Sequence, residues 1–162
     1  MAEFTDAEYP PLAARSAASH LEEVVADAVS KGATLLAGGQ VLDGPGAYFS
    51  PAVLTGVTPD MRAYGEELFG PIAVVHCAID DQDALRLAND TEYGLGAAVF
   101  STDAVRAARF AKDLEVGMVS INAASAERPE FPFGGVKRSG FGRELGPLGI
   151  DEFVNRRLVY VA

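Results

Sequence analysis

Ile72-Ala73-Val74-Val75-His76-Cys77-Ala78-Ile79 is apolar almost throughout and runs directly into Asp80-Asp81-Gln82-Asp83. An apolar run of this length that does not alternate reads as a strand in a sheet covered on both faces. Asp80 is placed to cap a helix through Asn89, with Asp81 and Asp83 near its positive end. Leu95–Phe100 reads as the next strand. Ser101 or Thr102 opens a helix whose Ala107, Phe110, Ala111 and Leu114 share a face, and Val116–Ile121 is the strand after it. Upstream, Leu21, Val24, Val25 and Ala28 line one face of a helix from Ala18 to Lys31, which Gly32 stops. Thr34–Ala37 then reads as a short strand, and Ala52-Val53-Leu54 as strand material after the break at Pro51. Pro59–Gly70 reads as a loop. Helices and strands in alternation predict an α/β fold, a mainly parallel twisted sheet flanked by helices. Glycine-rich Phe133–Gly149 breaks the rhythm, and Leu158-Val159-Tyr160-Val161 is a β-prone tail.

At 162 residues the chain suits a single domain, with no evident linker to a second core. A hydrophobic fraction of 49% with 22% charged residues indicates a folded chain. The net charge of −10 opposes attraction to nucleic acid or an anionic membrane. No apolar stretch is long enough to span a bilayer. Met1–Pro11 is acidic and has no basic region leading an apolar one, so no secretory signal is expected. One cysteine makes no intrachain disulfide and, without a Cys/His cluster, no zinc site. The reducing cytoplasm is the expected compartment. Cys77, inside its apolar run, reads as a small buried hydrophobe, since a reactive thiolate wants partial exposure and positive surroundings.

Two segments carry chemistry. Glu66-Glu67-Leu68-Phe69-Gly70-Pro71 sets two carboxylates and an aromatic before a rigid turn. Carboxylates accept hydrogen bonds from ribose hydroxyls and Phe covers flat rings, while an ordinary solvated loop is the plainer reading. Adjacent carboxylates on an extended segment point apart, which argues against glycosidase or metal chemistry. Phe131-Pro132-Phe133-Gly134-Gly135-Val136-Lys137-Arg138-Ser139-Gly140-Phe141-Gly142-Arg143-Glu144 packs glycines among aromatics. The glycines permit tight turns and close backbone approach, and the aromatics can wall an apolar tunnel. The segment matches neither phosphate-binding glycine fingerprint. Arg138 and Arg143 read as surface or ion-pair residues.

Together with Asn89-Asp90-Thr91-Glu92-Tyr93-Gly94-Leu95 and Gly117-Met118-Val119-Ser120-Ile121-Asn122, these segments follow one another as they do in a known family. From about Pro11 to Val161 the chain resembles the C-terminal third of the aldehyde dehydrogenase superfamily, most closely its succinate-semialdehyde dehydrogenase branch. The resemblance implies a partial catalytic domain over residues 1–154 and a C-terminal oligomerisation strand over 155–162. It implies that Glu67 holds the nicotinamide-ribose hydroxyls of NAD or NADP, with Phe69 beside the nicotinamide. It makes Asn122 the start of a substrate-tunnel loop that continues through Glu127 and Arg128 to Phe133, an aromatic lining the tunnel. Arg128 is the candidate partner for a semialdehyde's distal carboxylate, or else pairs with a surface acid. Glu144 resembles an auxiliary carboxylate that handles water or protons in deacylation.

Cys77 matches no family nucleophile. The family's dinucleotide-binding domain, glutamate base, catalytic cysteine, oxyanion-hole asparagine and cofactor-supporting lysine all precede the region that residue 11 represents. The expected reading is therefore the C-terminal portion of an NAD(P)-dependent aldehyde dehydrogenase, with no metal. Alone it would be inactive and would bind cofactor weakly or not at all. An upstream half carrying the cysteine and a homodimer or higher oligomer are the expected partners. The alternatives are a non-catalytic binding or assembly module with the remnant fold, and a self-sufficient enzyme using Cys77.

Overall fold

A computed structural model describes residues 9–125 and 128–162. The chain divides after Cys77 into two compact units.

In the first unit, α1 (Arg15–Ser30) buries the predicted stripe of Leu21, Val24, Val25 and Ala28, with Ala18 added at its start. Gly32 ends it at φ 105°. The Gly32 N–H bonds to Val29 O and the Ala33 N–H to Ala28 O, a Schellman closure that only a residue tolerant of positive φ makes cheaply. β1 (Thr34–Ala37) pairs antiparallel with β2 (Ala52–Thr55), and β2 pairs parallel with β3 (Ile72–Val75), giving the order β1-β2-β3. Between β2 and β3 lies a short helix, α2 (Arg62–Gly65), within the segment predicted as loop. The Asp27 carboxylate accepts from the Arg62 N–H at 3.0 Å, so α1 caps the first turn of α2. Leu21 and Val24 of α1, Leu54 of β2, Phe49, Val57 and Met61 form the core. Full burial of a side chain such as Leu54 contributes about 1.5–3 kcal/mol.

The second unit begins with α3 (Asp81–Asn89), capped as expected by Asp80, whose carboxylate accepts from the Asp83 N–H. β4 (Tyr93–Gly94) and β5 (Gly96–Val99) follow. α4 (Ala104–Asp113) is capped by Asp103, not by Ser101 or Thr102. The Ser101 hydroxyl accepts instead from the Asp103 N–H. β6 (Met118–Ile121) pairs parallel with β5, so β5-α4-β6 is a crossover unit, with Ala107 of α4 buried. β7 (Val136–Lys137) pairs antiparallel with β4, and α5 (Gly146–Asp151) lies in the glycine-rich stretch.

The fold is α/β, but the mainly parallel sheet is corrected. Among the described residues two small sheets have two strands and one has three, and antiparallel pairs are as many as parallel ones. The Gly/Pro-rich segment 38–51 folds back on itself through a Val41–Phe49 bridge and returns the chain as an antiparallel neighbour. A second correction concerns the decisive apolar run. Its strand stops at Val75, with Ile72 and Val74 half-buried and Ala73 and Val75 exposed. Ile79 is 89% exposed, and Cys77 is exposed rather than buried. Leu158–Val161 forms no strand with the chain's own sheets, and all four side chains face solvent. No described helix is long and apolar enough to cross a membrane.

Candidate functional site

In the first unit the turn from α2 to β3 separates the two adjacent carboxylates. Glu66 is taken by Arg62, whose Nε donates to it at 2.6 Å and Nη2 at 3.1 Å. The Arg62 guanidinium thereby holds the Glu66 carboxyl below its usual range, and His20 lies 3.5 Å from the same group. Leu68 packs against the core, so the flanking Glu67 and Phe69 both turn outward, as alternation along an extended segment requires. Phe69 is 77% exposed, and the Glu67 carboxylate makes no hydrogen bond or ion pair among the described residues. Gly70 keeps the turn in place. Its Cα lies flush on Leu21 of α1, where any Cβ would collide with the Leu21 side chain. Tight backbone bonds from Gly70 N to Leu68 O and from Ile72 N to Gly70 O, both 2.8 Å, stiffen the turn. A carboxylate and an aromatic face are therefore held open to solvent on one rigid turn.

In the second unit Asn122 follows β6 with φ 54°, a left-handed backbone that Asn adopts more readily than most residues. Its N–H donates to Val99 O at 2.8 Å. Its side chain accepts from the Ser101 N–H at 2.9 Å and donates to Ser101 O at 3.0 Å. The amide thus adds one more rung beyond the end of the β5–β6 ladder and fixes where the next segment departs. That segment includes Glu127, which lies outside the described residues. Arg128 is exposed, with its guanidinium 5.9 Å from the Phe131 ring centre, a cation–π contact. A cleft of about 440 Å³ opens against β5 and β6, walled by Leu95, Gly96, Met118, Ala124, Phe131 and Pro132 among others. Neither Asn122 nor Arg128 lines it.

Phe133 and Glu144 are brought together. Each donates its N–H to the other's carbonyl at 2.7 Å, an isolated antiparallel bridge. Arg143 braces the hairpin between them, Nη1 donating to Gly135 O at 2.9 Å and Gly142 O at 2.6 Å. Both bridge residues line a second cleft of about 270 Å³ with Phe141, Arg143 and Glu152. The glycines here serve close approach. A Cβ on Gly117 would sit 2.8 Å from Gly134 C and Gly135 Cα, so the start of β6 lies directly on the Gly134-Gly135 backbone.

No sequence motif singles out Lys137. Lys137 is left-handed at φ 55°, a property that no residue pattern announces.

The chain belongs to the aldehyde dehydrogenase family, whose sequence profile matches residues 2–159. Members are NAD(P)-dependent oxidoreductases, and the relatives place the chain near the succinate-semialdehyde dehydrogenase branch. It is 56% identical over 149 residues to the NADP-dependent succinate-semialdehyde dehydrogenase of Deinococcus radiodurans, covering 92% of this chain and 31% of that enzyme. The structure resembles that of succinic semialdehyde dehydrogenase from Streptococcus pyogenes in complex with NADP+. There the TM-score is 0.87 at 38% identity, over 93% of this chain and 33% of the other. It also resembles betaine aldehyde dehydrogenase from Staphylococcus aureus in complex with NAD+, with TM-score 0.81 at 38% identity over 88% and 29% of the two chains. The chain thus spans about a third of the length of these relatives.

Proposed function

We propose that these residues are the C-terminal portion of an NAD(P)-dependent aldehyde dehydrogenase that oxidises a small aldehyde, succinate semialdehyde, to its acid. The observation that carries this reading is the 56% identity to an NADP-dependent enzyme of that specificity. Glu67 and Phe69 fit the cofactor chemically. An unengaged carboxylate suits two ribose hydroxyls, and an open ring suits the flat nicotinamide. When bound, the nicotinamide accepts the hydride, and the chain's own residues bind and orient. Phe133 lines the aldehyde tunnel, Arg128 receives the distal carboxylate, and Asn122 holds the departure of the loop between them. Glu144 serves deacylation as an auxiliary carboxylate rather than as a nucleophile.

The 162 residues alone are inactive in this reading and bind cofactor weakly. Covalent catalysis needs an activated nucleophile, and Cys77 has no base or guanidinium partner among the described residues. Residues 1–154 act as part of the catalytic domain and 155–162 as an oligomerisation strand, its exposed apolar side chains covered by another copy in a homodimer or larger assembly. An upstream portion bearing the nucleophile completes the enzyme. The test is NAD+ and NADP+ reduction by the purified chain across several aldehydes, with no turnover expected. Robust turnover that Cys77→Ser abolishes would overturn the reading.

A further inference from the structure

Lys137 ends β7 with a left-handed backbone, a conformation that persists in a lysine only when its surroundings hold it. Its backbone is open to solvent, yet its side chain is only 24% exposed. The ammonium donates to Asn89 O at 2.8 Å and to Thr91 O at 3.1 Å, and pairs with the Glu115 carboxylate at 2.7 Å. An ammonium has three protons, and three oxygens take them. Asn89 is the last residue of α3, so its carbonyl lies at the negative end of that helix, where a cation is favoured. The Asn89 side chain in turn donates to Asp113 O at 3.0 Å and accepts from the Glu115 N–H at 2.9 Å. One ammonium therefore joins the end of α3, the turn between α4 and β6, and β7.

From β7 the chain runs back through Gly135 and Gly134 to Phe133. These glycines have no side chains with which to fix themselves, and Arg143 braces the Phe133–Glu144 hairpin only internally. The β4–β7 ladder and the Arg138 N–H, which donates to Glu92 O at 2.9 Å, hold this segment to residues 92–94, and the Lys137 ammonium adds the direct tie to the carbonyl end of α3. We propose that Lys137 is a positioning residue of the Phe133–Glu144 pair, helping from a distance to set the tunnel aromatic and the deacylation carboxylate in place. The roles of Phe133 and Glu144 rest on the proposed function; the fastening does not.

Hydrogen exchange on the full chain tests it. With Lys137→Met, which keeps the hydrocarbon stem and removes the ammonium, the Phe133 and Glu144 amides should exchange about tenfold faster while those of α1 are unchanged. With Lys137→Ala, added propylammonium should restore protection at the same two amides. Unchanged exchange at Phe133 and Glu144, or equal acceleration throughout including α1, overturns the proposal. Reductive methylation of the unaltered protein decides the matter if the variants do not fold. Lys112, exposed on α4, should react well before Lys137, and equal rates refute the fastening. In a fusion that supplies the upstream two thirds from the Deinococcus radiodurans relative, Lys137→Met should lower kcat about tenfold and leave KM for NADP+ unchanged. A fusion without turnover before substitution counts against the proposed function, and the exchange results then judge Lys137 alone.

Discussion

Gly117→Ala should damage the second unit where Gly96→Ala, in the same cleft wall, should not. A Cβ at Gly117 would stand 2.8 Å from Gly134 C and Gly135 Cα, and nearer still to the Gly134 carbonyl oxygen. Ordinary contact begins at 3.4 Å, so the 134–135 backbone must retreat, by well over 1 Å at the Gly134 carbonyl oxygen. Retreat pulls against the β4–β7 ladder and the Lys137 ammonium, which hold the same segment. Overpacking usually costs about 1–3 kcal/mol, and a clash with backbone rather than a movable side chain belongs at the upper end. At Gly96 the nearest atoms are Met118 Cε at 3.6 Å and Met118 O at 3.7 Å, ordinary contact with one flexible partner. Neither glycine has positive φ, so the comparison isolates packing from backbone strain. Because the two units need not unfold together, hydrogen exchange read by mass spectrometry over segments 94–99 and 117–136 is the suitable assay. A cost near 3 kcal/mol appears as exchange about a hundredfold faster for Gly117→Ala, against less than threefold for Gly96→Ala. Equal effects for the two variants would refute the close-approach argument.

Asn122→Ala loses two solvent-exposed hydrogen bonds to Ser101 and keeps an unfavourable left-handed backbone, about 2 kcal/mol in all. Asn122→Gly loses the bonds but not the backbone ease and should cost about half as much, so a glycine variant less stable than the alanine one, by local hydrogen exchange, contradicts the left-handed backbone cost. Acid should weaken the first unit through Asp27, whose carboxyl is held below its ordinary value by the hydrogen bond from Lys31 and then by the Arg62 N–H. A depressed pKa gives stability that is complete above the unfolded value and is lost as pH falls through the folded one, from about pH 4 downward. The urea midpoint of Asp27→Asn should therefore lie below that of the unaltered chain at pH 7, and the gap should narrow as pH falls below about 4; a constant gap argues against the linkage. Light scattering over a concentration series should find an oligomer that deletion of residues 155–162 dissociates, and a monomer before and after deletion defeats strand-mediated assembly.

What was legible in the sequence was local. The α1 stripe, the Gly32 stop and the Asp80 cap depend on residues within a turn or two of one another, so pattern suffices. Strand direction depends on how a connection folds, and nothing in residues 38–51 states in advance that Val41 will bridge Phe49. The apolarity of Ile72–Ile79 does not state whether one face of the strand or both are covered. In this chain one side of β3 is open, and with it Cys77 comes to the surface. The outward turn of Glu67 and Phe69 follows from Leu68 being the anchored residue, which alternation could have suggested. The Phe133–Glu144 bridge and the left-handed backbones of Asn122 and Lys137 arise from tertiary hydrogen bonds, which no local residue pattern encodes.

Glu67 is the residue proposed to hold the nicotinamide-ribose hydroxyls. The direct measurement is steady-state NADPH formation from succinate semialdehyde by the fusion with the upstream two thirds of the Deinococcus radiodurans relative, with and without Glu67→Gln. Glu67 is exposed and unpaired among the described residues, so the substitution should leave the fold intact. A lost charged hydrogen bond of about 1.5 kcal/mol should raise KM for NADP+ about tenfold and leave KM for the aldehyde within twofold. An active fusion whose KM for NADP+ is indifferent to Glu67→Gln contradicts the claim.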